Sequence, residues 1–288
     1  MRTSIVQELK SKVLHSGNAL NLIIALNVGI FLFIKILLVI EVLSGHPTLI
    51  SGFLTRQLMM PASWEQLLYK PWTIFTYMFM HAGFFHLLFN MLWLFWMGRI
   101  FLDFLNNRQF LFTYFAGGLC GAFLFLILYA LHPLFNISAP GTALVGASAC
   151  VGAIIVSAAT LVPDYSIRML FLGNVKLKYL ALAFIILSLL GISGLNAGGN
   201  FAHLGGAFLG FFYIRNLNQG RDWSKFFQKK DPRARFKVHK NDRAKNTDRV
   251  PDQAYIDEIL DKISQSGYKS LSKKEKDALF KASKRGET

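Results

Sequence analysis

The chain has 288 residues, 53% of them hydrophobic and only 16% charged, and its mean hydropathy is +0.39. That excludes an ordinary soluble domain and points to a membrane protein. Two cysteines, Cys120 and Cys150, both in apolar runs, read as small buried side chains rather than as a disulfide or a metal site. A net charge of +15 would suggest nucleic acid in a soluble protein; here its distribution along the chain decides otherwise.

Residues 1–18 are short, polar and mildly amphipathic, suited to the membrane interface. Apolar segments long enough to cross a bilayer are expected at 19–43, 78–98, 110–131, 147–163, 177–194 and 200–217. The first lacks a small-residue cleavage site and reads as a retained span rather than a signal peptide. Its Lys35 and Glu41 lie toward its ends and are expected to snorkel. The segment 45–77 is long but rich in aromatics, Met and Leu. It is expected to fold back into the interface as irregular backbone that is covered by protein or faces a water cavity.

The connections on one side carry the cations: Arg2, Lys10 and Lys12, then Arg99 and Arg108, then Arg168, Lys176 and Lys178. The segment 219–288 adds 19 Lys and Arg against 11 Asp and Glu. On the opposite side, the 45–77 segment carries only Arg56 and Lys70, and the connections near 132–146 and 195–199 carry none. By the positive-inside rule both termini are cytoplasmic, and the basic charge serves topology and attraction to membrane lipid, with no nucleic acid implied. Residues 218–250 read as a basic linker and 251–288 as a small helical hairpin. In it Ile256, Ile259, Leu260 and Ile263 share a face, Asp252 caps the start and Gly267 ends the first helix. Ser272-x-x-Glu275 forms a capping box for a second helix with Leu279 and Phe280.

Polar side chains at membrane depth are expensive and therefore raise a functional hypothesis. HAGFFHLLFN gives His81, His86 and Asn90, with the last two one helical turn apart. VGASAC gives Gly146 and Ser148. NFAHLGG gives Asn200, His203 and Gly206. Topology puts the starts of the second, fourth and sixth spans on the same, outer side, so these residues can meet in one cavity. A serine hydroxyl needs a base to become a nucleophile, and His203 is the candidate. His86, Asn90 and the Ser148 backbone N–H can hold the charge of a tetrahedral intermediate. Taken singly, each of these residues is equally well read as ordinary helix packing.

The pattern resembles the rhomboid family of intramembrane serine proteases. The resemblance rests on His81, His86 and Asn90, on Gly146-Ala147-Ser148, and on Ala202-His203 with Gly206 and Gly210. It also rests on Pro71-Trp72 with Thr76 and on YFAGGLCG from Tyr114. It covers roughly residues 19–217. It implies an all-α, polytopic membrane protein, a six-transmembrane-helix bundle, with Ser148 as nucleophile and His203 as general base. His86, Asn90 and the Ser148 backbone would form the oxyanion hole, with Gly146, His81, Asn200 and Gly206 in support. It implies transmembrane protein substrates entering sideways near the fifth span, no metal and no cofactor, and the bacterial inner (plasma) membrane as location. Two positions depart from the pattern. Ala149 stands where the family often has Gly. Gly152 stands where many members carry an aromatic packed on the histidine, which leaves Asn200 as the expected support for His203. The competing readings are an inactive rhomboid-like protein that binds transmembrane clients and, last, a transporter.

Overall fold

The structure is a computed structural model that describes residues 17–46, 48–131, 142–169, 173–194, 196–227 and 252–283. The expected interfacial segment up to residue 16 and the linker from 228 to 251 lie outside these residues. The chain divides into two units, 1–228 and 229–288.

The first unit begins with α1, Ala19–Leu43, whose N-cap Asn18 accepts from the Leu20 and Asn21 amides. Asn107 Oδ1 accepts from the Ala19 amide, 3.1 Å, tying this end to a later helix. Two short helices follow, α2, Ile50–Leu58, and α3, Trp64–Tyr69. The 45–77 segment is thus more regular than expected. The reason lies in Glu41, which does not snorkel: it is buried, and its carboxylate accepts from the Ile50 and Ser51 amides and the Ser51 hydroxyl. A carboxylate at a helix start satisfies orphan amides and matches the helix dipole. The strand β1, Met60–Pro61, pairs antiparallel with β2, Ala143–Leu144, which pins this segment to the chain just before Ser148. A single turn, α4, Thr73–Thr76, leads into a 3-10 turn at 77–79.

Helix α5, Phe84–Phe104, starts six residues later than expected, because Met80 and Gly83 are extended. His81 therefore lies before the helix rather than on it. Asn106 and Gln109 cap each other's amides reciprocally at 3.1 Å and so start α6, Asn107–Leu131, almost immediately. Then come α7, Ser148–Leu161, α8, Leu177–Gly191, and α9, Ala197–Asn218, with the hairpin β3, Ser166–Met169, and β4, Gly173–Lys176, between α7 and α8.

Each of the six apolar segments carries a helix. Of these, α1, α5 and α6 are long and apolar enough to cross a membrane. Helix α7 has 14 residues, about 21 Å at 1.5 Å per residue, well short of a hydrocarbon core of about 30 Å. It is also the most enclosed: every residue from Ala149 to Ala159 is buried. Ser148 is the first residue of this short buried helix, with 142–147 as its non-helical lead-in.

Helices α6, α7 and α9 are in close contact because small residues face each other. A Cβ on Gly206 would sit 2.0 Å from the Ala149 carbonyl oxygen, and one on Gly210 would sit 2.4 Å from that of Ala153. Without a hydrophobic drive between helices in lipid, such approach supplies the packing energy. Asn27, fully buried in α1, donates to the Ile23 carbonyl and the Tyr114 hydroxyl. The Tyr77 hydroxyl donates to the Gly118 carbonyl, 2.7 Å.

Residues 219–227, expected as the start of a linker, belong to this unit. Asp222 accepts from Arg108 (2.9 Å), from the Tyr213 hydroxyl (3.1 Å) and from Ser224. Burial pushes the Asp222 carboxyl up, but hydrogen bonds from Ser224 and Tyr213 and the charge of Arg108 more than offset it, so its pKa lies below the ordinary value.

The second unit contains α10, Gln253–Ser266, and α11, Lys273–Ser283. Ile256, Ile259, Leu271 and Ala278 form its core. Leu260, expected on the apolar face, is half exposed. Asp252 holds the N-cap position of α10 without a side-chain bond, and Gly267, at φ +76°, follows its last turn. The Ser272 amide donates to Glu275 and the Glu275 amide to the Ser272 hydroxyl.

Candidate active site

Ser148 is the first residue of α7, where amides have no intrahelical partner and the dipole is positive. The turn that delivers it requires glycine: Gly146 has φ +121°, and a Cβ there would lie 2.7 Å from His86 Cε1. The His86 ring therefore lies directly on the Gly146 backbone. The Gly146 amide donates to the Tyr77 carbonyl, 3.0 Å, so the lead-in to Ser148 is held from both sides.

His203 sits two turns into α9. Its Nε2 lies 2.8 Å from Ser148 Oγ, although 55 residues separate them. Gly206, one turn on, makes this possible by letting α9 lie against the Ala149 carbonyl. For Nε2 to accept the serine proton, the ring's own proton must be on Nδ1. Nδ1 faces Ser188 Oγ at 3.4 Å, and the Ser188 hydroxyl donates to the Phe184 carbonyl at 2.8 Å.

His86 and Asn90 line the same cavity as Ser148 and His203. The Asn90 amide donates one bond to the His86 carbonyl, 2.8 Å, and so stiffens the turn carrying both. The cavity is about 520 Å³, the size of a site for an extended peptide or a drug-like ligand. Phe85, Phe89 and Trp93 of α5 form one wall and Leu180, Ala183 and Leu187 of α8 another. His81 is buried, its ring centroid 5.1 Å from that of His86. It lines a separate small cavity with Lys35 and Met80.

The hydrogen bonds of the Asn200 amide lead away from His203. The amide donates to the Gly191 and Asn196 carbonyls, both 2.9 Å, and so fastens the start of α9 to the end of α8. The aromatic partner missing at Gly152 comes from elsewhere: the Phe184 ring lies 5.5 Å from the His203 ring at 34°. Neither Phe184 nor Ser188 belongs to any motif in the sequence. Their one local signal is that they are four apart, hence on one face of α8. The Ala149 methyl turns away from the site and packs over Gly121, where a Cβ would lie 2.7 Å from it. It therefore does not narrow the cavity in front of the Ser148 hydroxyl. Among the described residues no cluster of His, Cys, Asp or Glu suited to a metal ion is found.

The site thus joins a serine at a helix start, a histidine 2.8 Å from its hydroxyl and a largely apolar cavity in front, in a chain whose long apolar helices mark a helical membrane protein. The rhomboid-domain family profile matches residues 69–219, more than half of the chain and all of these residues, and the chain belongs to the rhomboid family. Residues 240–285 match a second family profile, a family of unknown function (DUF6576). A search of curated proteins returned no match.

Proposed function

We propose that the protein is an intramembrane serine endopeptidase that cleaves transmembrane segments of other membrane proteins, with both termini in the cytoplasm of a bacterial cell. The observation that carries this reading is the 2.8 Å contact between His203 Nε2 and Ser148 Oγ at the head of a cavity lined by α5 and α8. In this reaction His203 takes the Ser148 proton as Oγ attacks the scissile carbonyl. The Ser148 N–H, His86 and Asn90 hold the oxyanion. The intermediate collapses as His203 returns the proton to the leaving amine, giving an ester on Ser148. Water, deprotonated by His203, then hydrolyses the ester. An unfolded stretch of substrate backbone at this depth is tolerated because it lies in a protein cavity rather than in lipid. The six helices α1 and α5 to α9 span the bilayer in this account, and the apolar walls on α5 and α8 receive the substrate from the side.

The test is cleavage of a model transmembrane substrate by the purified protein in detergent, beside Ser148→Ala and His203→Ala. The parent cleaves and neither variant does. Equal cleavage by Ser148→Ala ends the reading. A parent that captures substrate without cutting it makes the protein a client-binding rhomboid relative instead.

A further inference from the structure

We infer that α8 orients the catalytic base: Ser188 and Phe184 are positioning residues for His203, and Phe184 fills the space left open by Gly152. The inference rests on the reading of Ser148 and His203 as nucleophile and base.

A Ser–His pair leaves two problems open. The ring must carry its proton on Nδ1, and its plane must be fixed. Ser188 addresses the first. It is 3% exposed, so its hydroxyl must find partners in the protein. Its proton goes to the Phe184 carbonyl at 2.8 Å. That leaves the oxygen's lone pairs facing His203 Nδ1 at 3.4 Å, an arrangement that accepts Nδ1–H and selects the tautomer with Nε2 open to Ser148. Phe184 addresses the second, with its ring against the imidazole at 5.5 Å. The ring reaches there only because position 152 has no side chain: a Cβ on Gly152 would sit 2.5 Å from Phe184 Cζ and 2.6 Å from Cε1. Gly152 and Phe184 are thus two halves of one packing solution. The helix that orients the base is also the helix whose Leu180 and Leu187 wall the cavity.

The test uses the purified full-length protein in detergent. It measures kcat and KM on a transmembrane substrate and the rate at which a small fluorophosphonate modifies Ser148. Ser188→Ala and Phe184→Ala are expected to lower kcat and the phosphonylation rate roughly tenfold or more, as small misplacements of a base do, with KM little changed. Ser188→Thr restores most of the Ser188→Ala loss. Gly152→Ala is harmful alone but not in the Phe184→Ala background, because the clash it creates is with that ring; contacting residues show such non-additivity. Leu190→Ala, on the exposed face of the same helix, leaves the rates unchanged. Should Phe184→Ala not survive purification, Phe184→Leu keeps the apolar volume, loses the ring and is expected to slow both rates. Variants that lower the melting temperature while Ser148 reacts at the parental rate overturn the inference, as does additivity of Gly152→Ala with Phe184→Ala. A parent that does not react with the probe fails the Ser148–His203 reading itself, and this inference falls with it.

Discussion

Adding one methyl at Gly206 tests the link between helix packing and chemistry. A Cβ there would lie 2.0 Å from the Ala149 carbonyl oxygen and 2.9 Å from its carbon. Both are backbone atoms of a buried helix and cannot rotate away. A carbon normally approaches a carbonyl oxygen to about 3.3 Å, so α9 must retreat by about 1.3 Å. His203 lies one turn away on the same helix and moves with it, which stretches a 2.8 Å contact with Ser148 beyond hydrogen-bond range. A displacement of this size costs on the order of 10²-fold in rate, and the overpacking itself about 1–3 kcal/mol of stability. The assay is substrate cleavage by Gly206→Ala beside Gly29→Ala, where a Cβ meets nothing within 4 Å. We expect the first to lose its activity while still folded, and the second to match the parent. Parental turnover by Gly206→Ala would refute the claim that this glycine sets the Ser148–His203 distance.

Glu41→Ala removes the carboxylate that caps α2 and is expected to cost about 1–2 kcal/mol, as lost caps do; a thermal melt and limited proteolysis of residues 44–58 would show it, and an unchanged cleavage pattern would contradict it. Asp222→Ala strands Arg108 and the Tyr213 hydroxyl and is expected to lower the melting temperature, by a loss on the order of 1–3 kcal/mol. In the second unit, hydrogen bonds from Lys262 and from the Ser272 cap hold the Glu275 carboxyl at about 2, well below the usual carboxylate range. A carboxyl depressed in the folded state stabilises it above the unfolded value and loses that contribution as pH falls through the folded one. The protection of amides in 252–283 of the full chain, taken relative to their intrinsic exchange rate at each pH, should therefore fall between about pH 4.5 and about pH 2, and Glu275→Gln should remove that dependence.

Apolar runs are enough to locate the helices, and three short motifs single out Ser148, His203, His86 and Asn90, which line one cavity, because span length acts through the whole chain. What periodicity could not reveal depends on contacts made in three dimensions. Glu41 reads as a snorkelling charge until α2 folds back onto it. The start of α5 moved because Gly83 and Met80 are extended, a local backbone choice hidden in an apolar run. Residues 219–227 look like linker because their order comes from Arg108 on another helix. Asn200 was the nearest polar neighbour of His203 in sequence, yet the partner in space is Ser188, an unremarkable serine in an apolar helix. Gly152 looked like a loss and is one side of a pair whose other side lies 32 positions later.

The central claim is that His203 makes Ser148 nucleophilic. Its most direct measurement is the reaction of the purified protein with a fluorophosphonate, with the modified residue mapped by mass spectrometry. A single adduct is expected on Ser148 in the parent and none in Ser148→Ala or His203→Ala. An adduct on another residue, or one on Ser148 that forms as fast in His203→Ala, would contradict it.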